Sequence, residues 1–156
     1  MAKRPRWTRR LLGESDFDAI GDAIKAVETR TSAEIREHLE RRLPRRFFGK
    51  PVAALERARR LFTRLGMHMT VERHGVLLYL AIEDRKLAVV GDVGIHGRVG
   101  DRHWYRVRDR MIERLRAGAP REALVGAIEE IGRELATHYP RRPGDTNELG
   151  DEVSVS

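Results

Sequence analysis

Residues 31–43 read TSAEIREHLERRL, and whether they form a helix or a strand decides the fold. Ile35, Leu39 and Leu43 recur every fourth position, the spacing of a helical face, yet all three also share one parity of a period-two strand. Thr31 and Glu34 match a capping box, in which a hydroxyl and a carboxylate satisfy the free N–H groups at a helix start. In a strand, Glu34 needs another role. The choice rests on the segments to either side.

Upstream, Ser15 followed by Asp18 resembles a helix start, and Phe17, Ile20, Ile24 and Val27 trace one helical face. Downstream, Pro51 suits a first helical position, Val52, Leu55, Phe62 and Leu65 form a second stripe, and Gly66 is placed to end it in a left-handed conformation. Residues 75–82, GVLLYLAI, are too few for a membrane span and rich in strand formers; residues 86–92, KLAVVGD, repeat that character. Only Glu83, Asp84 and Arg85 separate the two, so an antiparallel hairpin is expected. Beyond the glycine-rich GDVGIHGRVG, two further stripes predict helices: Trp104, Val107, Met111 and Leu115, then Leu124, Ala127, Ile131 and Leu135, closed by Pro140.

A lone hairpin is marginal without another strand. That argument favours residues 31–43 as the third strand, in the order helix, strand, helix, hairpin, helix, helix: a small sheet with helices on its faces. The charged positions between Ile35 and Leu43 suit an edge strand better than a buried one. The chain divides into a basic arm over 1–14, an α/β domain over 15–140 and a polar tail over 141–156, the tail expected to be less protected than the helices.

The 156 residues suit one domain, and 35% are charged, with arginine supplying most of the cations. No cysteine is present, which excludes disulfides, thiolate nucleophiles and cysteine-based metal sites; any metal must sit on oxygen or imidazole. The formal charge of +7 invites a nucleic-acid partner. However, the excess is concentrated in the first ten residues, while Arg and Glu elsewhere alternate as on solvated helices, so nucleic acid is not expected. The first residues lack the apolar core of a signal peptide and no run approaches the ~20 apolar residues of a span, which predicts a soluble cytoplasmic protein.

The phrases AIKAVETRTSAEI, ARRLFTRLGMHMTVERHGVLLYLAIEDRKLAVVGDVGIHGRVGDRHW and AIEEIGRELATHYPRRPGDTNELGDEVSVS, in that order, resemble the TPM domain family of thylakoid acid-phosphatase and photosystem II repair proteins. The resemblance spans residues 16–155 and is nearest to short bacterial members without a membrane anchor. It implies a three-layer α/β/α sandwich with a small mixed sheet, in which Glu34 opens the first strand. It also implies calcium binding in some members, weak acid phosphatase activity in the plant branch, and roles beside membrane complexes. The chain departs from the exported form, which carries a signal peptide and a membrane helix. It also has GDVGIHG where the family's glycine-rich signature ends in Gly-Leu-Glu, so a glutamate expected there is missing.

If the first two strands run parallel, the starts of strands one and two and the end of strand three share one edge of the sheet. Glu34 and Asp92 then fall together, with His74 and His96 near. Asp84 and Glu83 lie at the opposite edge beside the arginine-rich 41–50, where Arg45 and Arg46 are candidates to hold a phosphate. Carboxylate oxygens suit calcium, or magnesium, so Glu34, Asp84 and Asp92 are the metal candidates. The plainer alternative makes Asp84 a turn residue bonded to its own backbone and Asp92 a cap for the loop that follows.

The six histidines form no metal-binding pair of the HExxH kind, and GDVGIHG is not a dinucleotide fingerprint. His96 stands out by its place in a glycine-rich loop. A phosphatase would need a metal-activated water and cations to stabilise developing charge. The leading expectation is a calcium-binding interaction or assembly module with a protein partner, in the setting of a membrane-associated complex; a metal-dependent acid phosphatase is the alternative.

Overall fold

The computed structural model describes residues 4–46, 49–69, 74–92, 95, 99, 101–143 and 153–156. In chain order these form helix α1 (Glu14–Glu28), strand β1 (Glu34–Glu40), helix α2 (Ala54–Arg64), strands β2 (Gly75–Ala81) and β3 (Lys86–Gly91), helices α3 (Asp101–Arg116) and α4 (Pro120–His138), and a two-residue strand β4 (Ser154–Val155). The sheet order is β3-β2-β1-β4. β1 runs parallel to both β2 and β4, while β2 and β3 are antiparallel.

The ambiguous stretch is a strand because its parity matches the sheet. Ile35 and Leu39, both without measurable exposure, face the core packed by α1, α3 and α4. Parity sends Glu37 to the same face between them, also fully buried. In a helix Glu37 would have pointed away from the Ile35–Leu39 stripe, so the fourfold spacing hides the cost that the strand accepts. Leu43 lies past the strand end and joins the cluster on the other face of the sheet.

That second cluster unites Leu43, Ala58, Leu61 and Phe62 with Leu77 and Tyr79 of β2, so α2 covers one face and the remaining helices the other. The result is an α/β/α sandwich. β2, flanked by strands and covered on both faces, is buried at every position, which is why it reads as a continuous apolar run.

Several expectations require correction. β1 is an interior strand, because β4 pairs with it at His38 and Leu39; the end of the segment read as a polar tail supplies that cover. Thr31 caps no helix: its hydroxyl donates to the Tyr139 carbonyl at 2.5 Å and accepts from Ala33 N–H at 3.1 Å, docking the entry to β1 against the end of α4. Pro51 bridges Arg45 instead of opening α2, which begins at Ala54, and Leu55 is exposed. α1 starts one step before Ser15, with Asp16 accepting the Gly13 N–H at 2.7 Å in place of any bond through Asp18. Gly66 does adopt the left-handed conformation, with φ of 73°.

Candidate functional site

The parallel register brings Glu34 opposite Gly75, and the antiparallel register brings Gly91 opposite Val76. Two backbone bonds close this end of the sheet. Glu34 N–H donates to the His74 carbonyl at 3.1 Å and Asp92 N–H donates to the Gly75 carbonyl at 2.8 Å. Glu34 and Asp92 therefore flank the start of β2, 6% and 4% exposed, an unusual degree of burial for two carboxylates. Glu28, at the end of α1 and equally buried, accepts the Ile35 N–H at 3.3 Å, and Arg141 donates to the Glu28 carbonyl at 2.6 Å. The His74 ring lies 4.1 Å from that of Tyr139. His96 falls outside the described residues.

At the opposite end, Asp84 sits in the β2–β3 turn and reaches across to the loop after β1. Its carboxylate accepts the Leu43 N–H at 2.6 Å and the Arg45 guanidinium at 2.9 Å. Burial alone would raise its pKa; those two donors outweigh it and hold the group below the ordinary carboxylate range. Arg46 pairs with Glu56 of α2. Arg41 and Arg42 both hold Glu83, whose pKa they lower to about 2. Asp84 thus ties two loops together instead of bonding only its own turn, and both phosphate candidates, Arg45 and Arg46, engage carboxylates of the chain itself.

A third cluster lies on the α2 face of β1. Glu40 accepts Arg57 through Nε at 3.0 Å and Nη2 at 2.7 Å, and also the Tyr79 hydroxyl at 2.7 Å. His38, 3% exposed, stands 2.7 Å from Ser154 Oγ through Nδ1 and 2.7 Å from Ser156 Oγ through Nε2. Ser154 Oγ also donates to the Glu37 carbonyl at 3.2 Å, and the Ser156 hydroxyl also bonds the Glu40 carboxylate. Burial pushes the His38 pKa down to about 4, which agrees with a neutral ring. This cluster was not foreseen. The alternation of Val153, Ser154, Val155 and Ser156 is the signal that would have found it, since it has the period of a strand.

Among the described residues, no three His, Cys, Asp or Glu side chains are grouped to hold a metal ion. Glu34 and Asp92 fit calcium in kind, as buried oxygen donors at one sheet end. Calcium also accepts backbone carbonyls and water, so side chains need not complete its shell.

A small mixed sheet covered by helices on both faces, with acidic residues gathered at strand ends, defines the class of domain. The TPM domain model matches residues 8–134, and the chain belongs to that family. The chain is similar over its whole length to the solution structure of the BA42 protein from the psychrophilic bacterium Bizionia argentinensis, at 33% identity, 100% coverage of both chains and a TM-score of 0.83. Two more distant solution structures share the fold alone. The N-terminal domain of a P. gingivalis protein is 20% identical over 85% of this chain and 82% of its own, with a TM-score of 0.66. That of the cg2496 protein from Corynebacterium glutamicum is 15% identical over 86% of each chain, with a TM-score of 0.59. No curated protein sequence matches the chain. No helix among the described residues is long and apolar enough to cross a membrane.

Proposed function

We propose that this TPM domain is a calcium-binding interaction module that works in the cytoplasm, with its ion at the Glu34–Asp92 end of the sheet and a protein as its partner. The observation that carries the reading is the burial of two carboxylates on either side of the start of β2. A cation shared between them lowers the cost of withdrawing both from water. Asp84 is left out of the site because Leu43 N–H and Arg45 already occupy its oxygens. In the same way the phosphatase alternative draws no support from Arg45 and Arg46, whose charges are engaged by Asp84 and Glu56. Magnesium retains its waters and suits such a site less well.

Thermal melts with increasing calcium and magnesium test the reading. A ligand confined to the folded state stabilises it by about 2.7 kcal/mol at a hundredfold excess over its dissociation constant. Calcium is expected to raise the melting temperature more than magnesium, and Glu34→Gln or Asp92→Asn to abolish the shift while Asp84→Asn retains it. No shift up to millimolar calcium, or a shift that survives both substitutions at the Glu34–Asp92 end, would overturn the proposal.

A further inference from the structure

A groove of about 710 Å³ opens beside the β2–β3 turn, between the sheet, Leu11 just ahead of α1, and α3. Its floor is aliphatic: Leu11, Ile82, Ile112 and Leu115 line it, each only half-buried by the rest of the fold. Apolar side chains left open in a concave site favour an apolar occupant. The rim has the opposite character, carrying Arg85, Lys86, Arg108 and Arg116.

The two acids in the groove are already committed. Glu83 is held by Arg41 and Arg42 from outside the groove, and Asp109 lies 3.2 Å from Arg108. Among the described residues, the side chains of Arg85, Lys86 and Arg116 form no ion pair or hydrogen bond. All three are exposed, so their charges are free to meet a ligand. Arg85 is also held in the left-handed backbone region, φ 52°, a conformation uncommon for a side-chain-bearing residue and one that clusters at functional turns.

We propose that this groove binds a small amphipathic anion, a single aliphatic chain with a carboxylate head, whose chain lies on the Leu11–Ile82–Ile112–Leu115 floor and whose head meets Arg85, Lys86 and Arg116. The volume falls within the range of roughly 300–1,000 Å³ typical of small-molecule sites. The unpaired cations favour an anion, and the aliphatic floor favours one with an apolar body. The groove lies at the opposite end of the sheet from Glu34 and Asp92 and is independent of the calcium reading.

Titration calorimetry with decanoate, below its micelle concentration, tests the inference. Acetate supplies the head without the chain, and octyl glucoside supplies a chain with a neutral head. Decanoate is expected to bind saturably at one site, both controls to bind at least about tenfold more weakly, and Lys86→Glu/Arg116→Glu to lose at least about tenfold in affinity. Circular dichroism checks that this variant is folded. The salt dependence of decanoate binding to the unaltered protein gives a second readout, with affinity falling as sodium chloride rises. Absence of saturable binding, equal binding of octyl glucoside, or salt-independent affinity would overturn the proposal. So would binding confined to vesicles of anionic phospholipid with none to monomeric decanoate, which would assign the patch to a membrane surface.

Discussion

His38 Nδ1 lies 2.7 Å from Ser154 Oγ, a contact across 116 positions of sequence that fastens β4 to β1. The ring's other nitrogen holds Ser156, whose N–H donates to the Leu39 carbonyl at 2.9 Å. A two-residue strand has little ladder of its own, so these side-chain bonds carry much of its attachment.

The folded pKa of His38, about 4, lies below its ordinary value of 6.5. Between those values the unfolded chain binds the extra proton and the folded chain does not. The contribution of the neutral ring is therefore complete above pH 6.5 and is lost as pH falls toward 4, by up to about 1.4 kcal/mol per pH unit. Exchange of the Ser156 amide hydrogen is expected to accelerate as the pH drops through that window, beyond the intrinsic change in exchange rate. His38→Ala should show fast exchange at every pH. An amide equally protected in both proteins at pH 7 would mean that the imidazole does not hold β4.

Glu37 titrates in the opposite sense. Burial pushes its pKa from 4.5 up to about 8, and neither carboxyl oxygen has a hydrogen-bond partner among the described residues. Between pH 4.5 and 8 the folded chain holds the proton that the unfolded chain has released, so stability falls as pH rises through that interval. Glu37→Gln should remove this slope. Glu37→Leu should stabilise the domain by about 1–3 kcal/mol at pH 7, because it removes buried polar atoms without partners. Urea unfolding at several pH values measures both effects. Since His38 and Glu37 oppose each other between pH 4.5 and 6.5, the variants are needed to separate them.

The bond from Leu43 N–H to Asp84 predicts that Asp84→Ala loosens the loop after β1 and costs about 1–3 kcal/mol, the penalty for losing a charge-assisted hydrogen bond. Arg45→Ala should cost less, since Arg45 is partly exposed and its pair is screened by water. Chemical denaturation of the two variants checks the order; an equal or larger loss in Arg45→Ala would show that the ion pair, and not the backbone bond, anchors the loop.

Gly132 marks the close approach of α4 to α1. A Cβ there would come within 2.7 Å of Val27 Cγ1 and 3.1 Å of Val27 Cβ, and Val27 is itself fixed in the core. Although alanine is the better helix former, Gly132→Ala is expected to destabilise by about 1–3 kcal/mol through overpacking. The double variant Gly132→Ala/Val27→Ala should recover part of that loss relative to the two single changes added together. Strict additivity in denaturant melts would argue against the clash.

The sequence by itself determined the elements whose signals are local. The β2–β3 hairpin follows from two β-rich runs and a short connection, and α1, α3 and α4 from apolar stripes whose members are in fact buried or half-buried. β1 was legible only through the need of that hairpin for a partner, because Ile35 and Leu39 satisfy both periods and Glu37 violates the strand reading. The tertiary structure decided everything that depends on register and on distant chain ends. It brought Glu34 and Asp92 to one end of the sheet, through the parallel pairing of β1 with β2. It also spent Asp84, Arg45 and Arg46 on one another and on Glu56, and seated Ser154 and Ser156 against His38. The physical reason is that a side chain's period is written in its neighbours in sequence, while the partner of a charge or a hydroxyl is chosen by the packing of elements that sequence order leaves far apart.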